Sequence, residues 1–247
     1  MKINKFINEF NTKGYFKVTQ FINQNMIDKI IDEIKIITNI TIYKDRKNQV
    51  RRLEQFYNKG LNLNKLNLKC CEFIKDTINK EVVIFKDKLN TKPSGGEGFS
   101  AHYDGVFRFK DANSKLQNGW YYYGDFFVNI LLALDECTEQ NGTIEIANSH
   151  DGDFNQLLKN TTNDGTPNLL SEVERKTSFE KIILQPGDIV IFKSTCPHRS
   201  KKNTSSTDRK VLYYTYSDIS NGSQYTNYFN DKKNSKNETE KSLTGNL

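Results

Sequence analysis

His102 and Asp104 stand two residues apart in the stretch Gly98-Phe99-Ser100-Ala101-His102-Tyr103-Asp104-Gly105, at the end of an expected strand. Residues i and i+2 of an extended chain project from one face, so an imidazole and a carboxylate there can close on a single metal ion. The chain holds three histidines, His102, His150 and His198, and a further nitrogen ligand has few places to come from. His198 follows an apolar strand-like run over residues 187–192 and also sits just past a strand end. Two histidines and one carboxylate on one side of a metal leave the opposite positions open, a geometry suited to non-haem Fe(II) chemistry. His150, in an expected turn after Asn148, reads as structural.

Two more residues belong to the same constellation. Arg209 begins the last expected strand and can reach the same cavity from a neighbouring strand, and Ser200 shares the face of His198 if the chain is extended there. A guanidinium fork binds a carboxylate in bidentate fashion, so these residues would give the metal site an anchor for an acid. Arg199 lies beside His198 and is a candidate substrate contact.

The elements that must position these groups are legible as periodicity. Ile3, Phe6, Ile7 and Phe10 are spaced as a helix, a short strand follows over residues 15–18, and helical patterns return over 22–37 and 63–78. From residue 81 the texture is β. Strands are expected over 81–89, 126–134, 143–147, 178–184, 188–192 and 209–216. Asn129 interrupts the apolar run 126–134 as either a satisfied core amide or a ligand-binding group. The Gly-rich loop 93–98 is no phosphate cradle, because neither G-K-[ST] nor a helix follows it. Residues 148–176 form a long covering loop with local helix near 155–160. This pattern predicts a single domain over residues 1–232: bracing helices at about 3–80, a jelly-roll core at about 81–218, and a disordered tail at 233–247.

Composition narrows the rest. A formal charge of +6 is spread along the chain, which argues for a solvated surface and against nucleic-acid binding, and fits an anionic small molecule. Cys70, Cys71, Cys137 and Cys196 form no C-x-x-C pair and suit reduced thiols in a cytoplasmic protein. No stretch approaches the length of a membrane span. The oligomeric state is left open by the sequence.

Several ordered pieces resemble the phytanoyl-CoA dioxygenase-like branch of the Fe(II)/2-oxoglutarate oxygenases, which share a double-stranded β-helix. They are Lys86-Asp87-Lys88-Leu89-Asn90-Thr91-Lys92-Pro93 leading into His102-Tyr103-Asp104, then Asn141-Gly142-Thr143-Ile144-Glu145-Ile146, Gln185-Pro186-Gly187-Asp188, and Pro197-His198-Arg199-Ser200 with Arg209. The resemblance implies that His102, Asp104 and His198 hold Fe(II). It implies that Arg209 and Ser200 take the distal carboxylate of 2-oxoglutarate, that Asn129 touches this cosubstrate, and that O2 is consumed. Lys88 and Lys92 would face the cavity mouth as substrate contacts. Tyr103, where the family often has Gln, would alter the pocket wall. Trp120 to Tyr123 would be wall and core, or a cage for a quaternary ammonium. Retention of Asp104 favours hydroxylation over halogenation. The motif wording is most similar to members acting on small zwitterions such as aminoalkylphosphonates. The competing expectations are a non-catalytic jelly-roll binding protein and a hydroxylase of a macromolecule.

Overall fold

The structure is a computed structural model that describes residues 2–45, 47–111 and 113–234. Helix α1 (Lys2–Thr12), strand β1 (Tyr15–Val18) and helix α2 (Gln24–Ile36) open the chain, followed by the hairpin β2 (Thr41–Lys44) and β3 (Val50–Glu54), then helix α3 (Leu61–Ile78). The β region comprises β4 (Val82–Lys92), β5 (Phe99–His102), the short pair β6 (Phe109–Lys110) and β7 (Leu116–Gln117), β8 (Phe127–Ala133) and β9 (Ile144–Ile146). Helices α4 (Phe154–Leu158) and α5 (Ser171–Lys176) interrupt it. It resumes with β10 (Glu180–Lys181), β11 (Ile189–Lys193), β12 (His198–Ser200) and β13 (Arg209–Asp218), and α6 (Tyr225–Asn234) closes the described chain.

Seven strands form one sheet in the order β1-β11-β8-β13-β4-β3-β2, and four form a second in the order β10-β9-β12-β5. Their inner faces share one core, with Leu131, Ala133, Val190, Phe192 and Val211 from the large sheet against Ile144 and Ile146 from the small one. The outer face of the large sheet is also buried. Val128, Ile130, Leu132, Ile189, Ile191, Leu212 and Tyr214 pack there with Ile27, Ile30, Leu66 and Ile74 of the N-terminal helices. Strands covered on both faces therefore read as continuous apolar runs rather than as alternating ones. This is a double-stranded β-helix, or jelly roll, braced by helices on one side.

One irregularity aims the site. The pairing of β13 with β4 steps from Thr215↔Lys86 to Tyr216↔Ile84, so Phe85 has no partner in the ladder. A bulge of this kind reverses the parity of the strand. Val82 and Ile84 face the helices before it and Leu89 after it, which turns Lys86, Lys88 and Asn90 toward the inner cavity.

Three expectations change. The hairpin 41–54 was not foreseen, because its few apolar residues are flanked by charges. The expected strand at 178–184 shortens to Glu180–Lys181. Of the expected disordered tail, Lys233 and Asn234 instead end α6, and residues 235–247 lie outside the described residues. Among the described residues no helix is long and apolar enough to cross a membrane.

The two-faced burial of β8 makes a direct prediction. Ile130, 1% exposed, should lose about 2–5 kcal/mol of stability on replacement by Ala, read as a lower urea midpoint at unchanged slope. Ile36→Ala, at a residue 78% exposed, should change stability by no more than about 0.5 kcal/mol.

Candidate metal centre and its cavity

Strands β5 and β12 pair so that His102 lies directly opposite His198. Two backbones must approach closely here, and Gly98 permits it: a Cβ at that residue would stand 2.1 Å from the Ser200 carbonyl oxygen. Just past β5, the backbone N–H of Asp104 donates to the Ser194 carbonyl at 3.0 Å, and Gly105 turns with φ +81° against the face of Trp120. A side chain at Gly105 would be both strained and obstructed.

The result is a buried cluster in which one ligand atom each from His102, Asp104 and His198 lies within 4.8 Å of the others. The imidazole centroids are 4.2 Å apart, and His198 Nε2 is 3.8 Å from Asp104 Oδ2. Each histidine uses Nδ1 on a backbone carbonyl, His102 on Ser100 at 2.7 Å and His198 on Cys196 at 3.1 Å. That contact makes Nδ1 the protonated nitrogen and leaves Nε2 with its lone pair for a metal. Burial, reinforced for His102 by the neighbouring His198, pushes both imidazoles down, His102 to about 3. Burial alone would raise the Asp104 carboxyl. His198, Lys88, His102 and Lys86 outweigh it and hold the group below its ordinary value. Neutral imidazoles and an ionised carboxylate are the protonation states that a divalent metal requires, so the donor set fits Fe(II).

Asn129 is not a cavity residue. Its amide donates to Asp104 Oδ2 at 2.9 Å and accepts from Thr215 Oγ1 at 2.7 Å. Asn129 thus holds the Asp104 carboxylate, and of its two sequence readings the satisfied core amide is the closer.

Lys88, Arg199, Ser200 and Arg209 do border the cavity around the triad. Arg209 is 4% exposed, and its Nε has no hydrogen-bond partner among the described residues, although Nη1 lies 4.0 Å from the Cys137 sulfur. A buried guanidinium nitrogen without an acceptor, in a cavity beside the candidate metal cluster, is what a bound carboxylate would satisfy. Lys88 sits over the Tyr213 ring at 4.4 Å, and burial pushes its ammonium down to about 7 against the pull of Asp104.

The remaining expected substrate contacts have protein partners of their own. Lys92 has the same strand parity as Lys88, yet its ammonium donates to the Gly142 carbonyl at 3.1 Å, to Ser200 Oγ at 2.7 Å and to the Lys201 carbonyl, and it does not border the cavity. Tyr103, between two ligands on a strand end, points to the other side. It is fully buried, and its hydroxyl meets His150 Nδ1 and Asn160 rather than the cavity. Arg199 edges the cavity, but its guanidinium is committed to Glu145 and Glu174 at 2.7 Å each and stacks on Phe179.

Residues that sequence reasoning did not select complete the wall. Arg52 comes from the unforeseen hairpin, Lys86 from the strand segment after the bulge, and Phe107 and Pro167 from loops. Trp120, expected as wall or core, borders the cavity with Lys86 Nζ over its ring at 5.5 Å. Lys86 and Lys88 were visible as an i, i+2 pair, while Arg52 carried no such signal.

Fold and cluster together define a jelly-roll protein with a buried two-histidine, one-carboxylate cluster that could hold a metal ion. The chain belongs to the phytanoyl-CoA dioxygenase (PhyH) family, whose model matches residues 10–211. Among curated relatives it is similar to a 2-aminoethylphosphonate dioxygenase from the uncultured bacterium HF130_AEPn_1, with 29% identity over 188 residues, 74% of this chain and 64% of that protein. A methylphosphonate hydroxylase from Gimesia maris is 28% identical over 159 residues, 64% of this chain and 54% of the relative. The chain therefore spans less than two thirds of the length of these relatives. Among solved structures, the epimerase SnoN in complex with Fe3+, alpha ketoglutarate and nogalamycin RO shares the fold with a TM-score of 0.67 at 12% identity, over 88% of this chain and 84% of that one.

The orienting role of Asn129 is testable. Asn129→Ala should weaken divalent metal binding by about 10- to 100-fold in a calorimetric Co(II) titration while the far-UV spectrum is unchanged.

Proposed function

We propose that this chain is a non-haem Fe(II)- and 2-oxoglutarate-dependent dioxygenase that hydroxylates a C–H bond of a small phosphonate or related polar metabolite. The observation that carries this reading is one cavity bordered by both a buried His102–Asp104–His198 cluster and Arg209, whose Nε has no hydrogen-bond partner among the described residues. The relatives named as phosphonate oxygenases support the substrate class.

His102, Asp104 and His198 would hold the metal, and Arg209 with Ser200 the distal carboxylate of 2-oxoglutarate. When bound, these groups and O2 supply the oxidation that replaces a substrate C–H by C–OH, with 2-oxoglutarate going to succinate and CO2. The protein supplies position and environment. The Lys92 ammonium can only donate, so Ser200 Oγ accepts from it and the Ser200 O–H is available to donate into the cavity. Asn129 fixes the rotation of the Asp104 carboxylate. Trp120, Phe107, Ile144 and Val211 line the space with apolar surface, which restricts water and strengthens the polar contacts made inside. All four cysteines are free thiols, which supports a reducing, cytoplasmic location.

Succinate formation should require Fe(II) and should rise above the uncoupled rate when a phosphonate substrate is added. Arg209→Ala should raise the KM for 2-oxoglutarate by about 10- to 100-fold, the equivalent of one lost charge-assisted contact. Absence of phosphonate-stimulated succinate, or an unchanged KM in that variant, contradicts the proposal.

A further inference from the structure

A tyrosine hydroxyl shut away from bulk water finds a hydrogen-bond partner or costs the fold stability. Buried tyrosines across this protein follow that rule. Tyr15 donates to Glu180 at 2.7 Å, Tyr123 to Asp231 at 2.8 Å, Tyr214 to the Leu63 carbonyl at 3.4 Å and Tyr216 to Asn67 at 3.1 Å, while Tyr103 meets His150 and Asn160. Tyr213 departs from it. The residue is 9% exposed and borders the cavity, yet its hydroxyl makes no hydrogen bond among the described residues. Its ring is held in place, because Lys88, opposite it on β4, sets an ammonium over the face at 4.4 Å.

The position of Tyr213 on β13 decides what the hydroxyl faces. Alternate residues of a strand share a face, and Arg209, Val211 and Tyr213 all border the cavity. The next residue of that parity, Thr215, donates to Asn129, whose amide holds Asp104. One face of β13 thus runs from the guanidinium of Arg209 to the level of the metal cluster, six residues or roughly 20 Å between backbone positions that the side chains shorten. A keto-diacid held at one end by Arg209 and at the other by the metal has Val211 and Tyr213 beside it. Burial pushes the Tyr213 hydroxyl well up against the pull of Arg209, which acts on it more strongly than any other charge, with Asp104 next. The phenol therefore keeps its proton and remains a donor.

Resting on the oxygenase reading above, we infer that Tyr213 is a further donor to 2-oxoglutarate, its O–H directed with Arg209 and Ser200 at the distal carboxylate. An ionised carboxylate accepts at about four lone-pair sites, so a phenol has room beside a guanidinium and a serine hydroxyl. The fold bears the cost of a buried donor without an acceptor, and a bound acid offsets it. An anionic substrate is the other acceptor for this hydroxyl; the shared strand face with Arg209 favours the cosubstrate.

Tyr213→Phe removes the hydroxyl and keeps the ring beneath Lys88. Calorimetry on wild type and variant, both loaded with Co(II) so that no turnover occurs, compares 2-oxoglutarate with 2-oxovalerate, the same chain without the distal carboxylate. The variant should bind 2-oxoglutarate about tenfold more weakly and 2-oxovalerate as wild type does. In urea without ligand it should be at least as stable as wild type, since the hydroxyl it loses has no partner to strand. Unchanged affinity for 2-oxoglutarate overturns the inference, as does an equal loss for the two acids or a lower urea midpoint, either of which gives the hydroxyl a structural role. A loss confined to methylphosphonate binding overturns it as well and assigns the phenol to the substrate. If Arg209→Ala weakens 2-oxoglutarate binding and Tyr213→Phe does not, this inference fails and the oxygenase reading stands. If wild-type protein takes up Co(II) but not 2-oxoglutarate, the oxygenase reading fails and this inference with it.

Discussion

The antiparallel pairing of β5 with β12 is the constraint on which the rest depends. It sets His102 opposite His198, residues far apart in the chain, with ladder hydrogen bonds rather than side-chain attraction. Left to themselves, two imidazoles whose centroids are 4.2 Å apart would gain little from such proximity in a buried site. The sheet holds them there, and the peptide carbonyls of Ser100 and Cys196 turn each ring so that Nε2 faces inward. Asp104 is anchored separately. Its backbone is held by the loop at Ser194, and its carboxylate is held by Asn129 from the large sheet. The cluster is therefore a joint between the two sheets.

The second organising feature is charge placed where water is scarce. Burying a cation without a partner is costly, and the protein offsets the cost in and around this cavity in three ways. Arg199 is paired with carboxylates, Lys92 is surrounded by acceptors, and Lys86 and Lys88 lie over aromatic faces. Arg209 differs, because its Nε is left without an acceptor among the described residues. The protein has completed the environment of the cations that shape the wall and left incomplete the one that would meet the cosubstrate.

Much of this was legible in the sequence, for identifiable reasons. Strand periodicity together with the i, i+2 rule brought His102 and Asp104 to one face, and the same rule placed Ser200 with His198. Arg209 was read from its position at the head of the last strand. What the sequence did not show has one cause, namely contacts made between elements distant in sequence. Lys92 has the parity of a cavity residue, but carbonyls from Gly142 and Lys201 intercept its ammonium. Asn129 was known to need a partner, and only the fold shows that the partner is Asp104 of the candidate metal cluster. Arg52 sits in a hairpin too short and too charged to show a strand pattern, and the bulge at Phe85 that aims Lys86 inward leaves no local signature. Resemblance to a family supplied roles for single residues, whereas register and parity decided which of them face the cavity.

The most direct test of the central claim, that three side chains converge on one ferrous ion, is an anaerobic titration of the apoprotein with Fe(II) in the presence of 2-oxoglutarate, followed by visible absorbance. The account predicts a metal-to-ligand charge-transfer band that saturates at one Fe(II) per chain and is lost in His198→Ala and in Asp104→Ala. A band that survives either substitution, or wild-type protein that develops none, would contradict it.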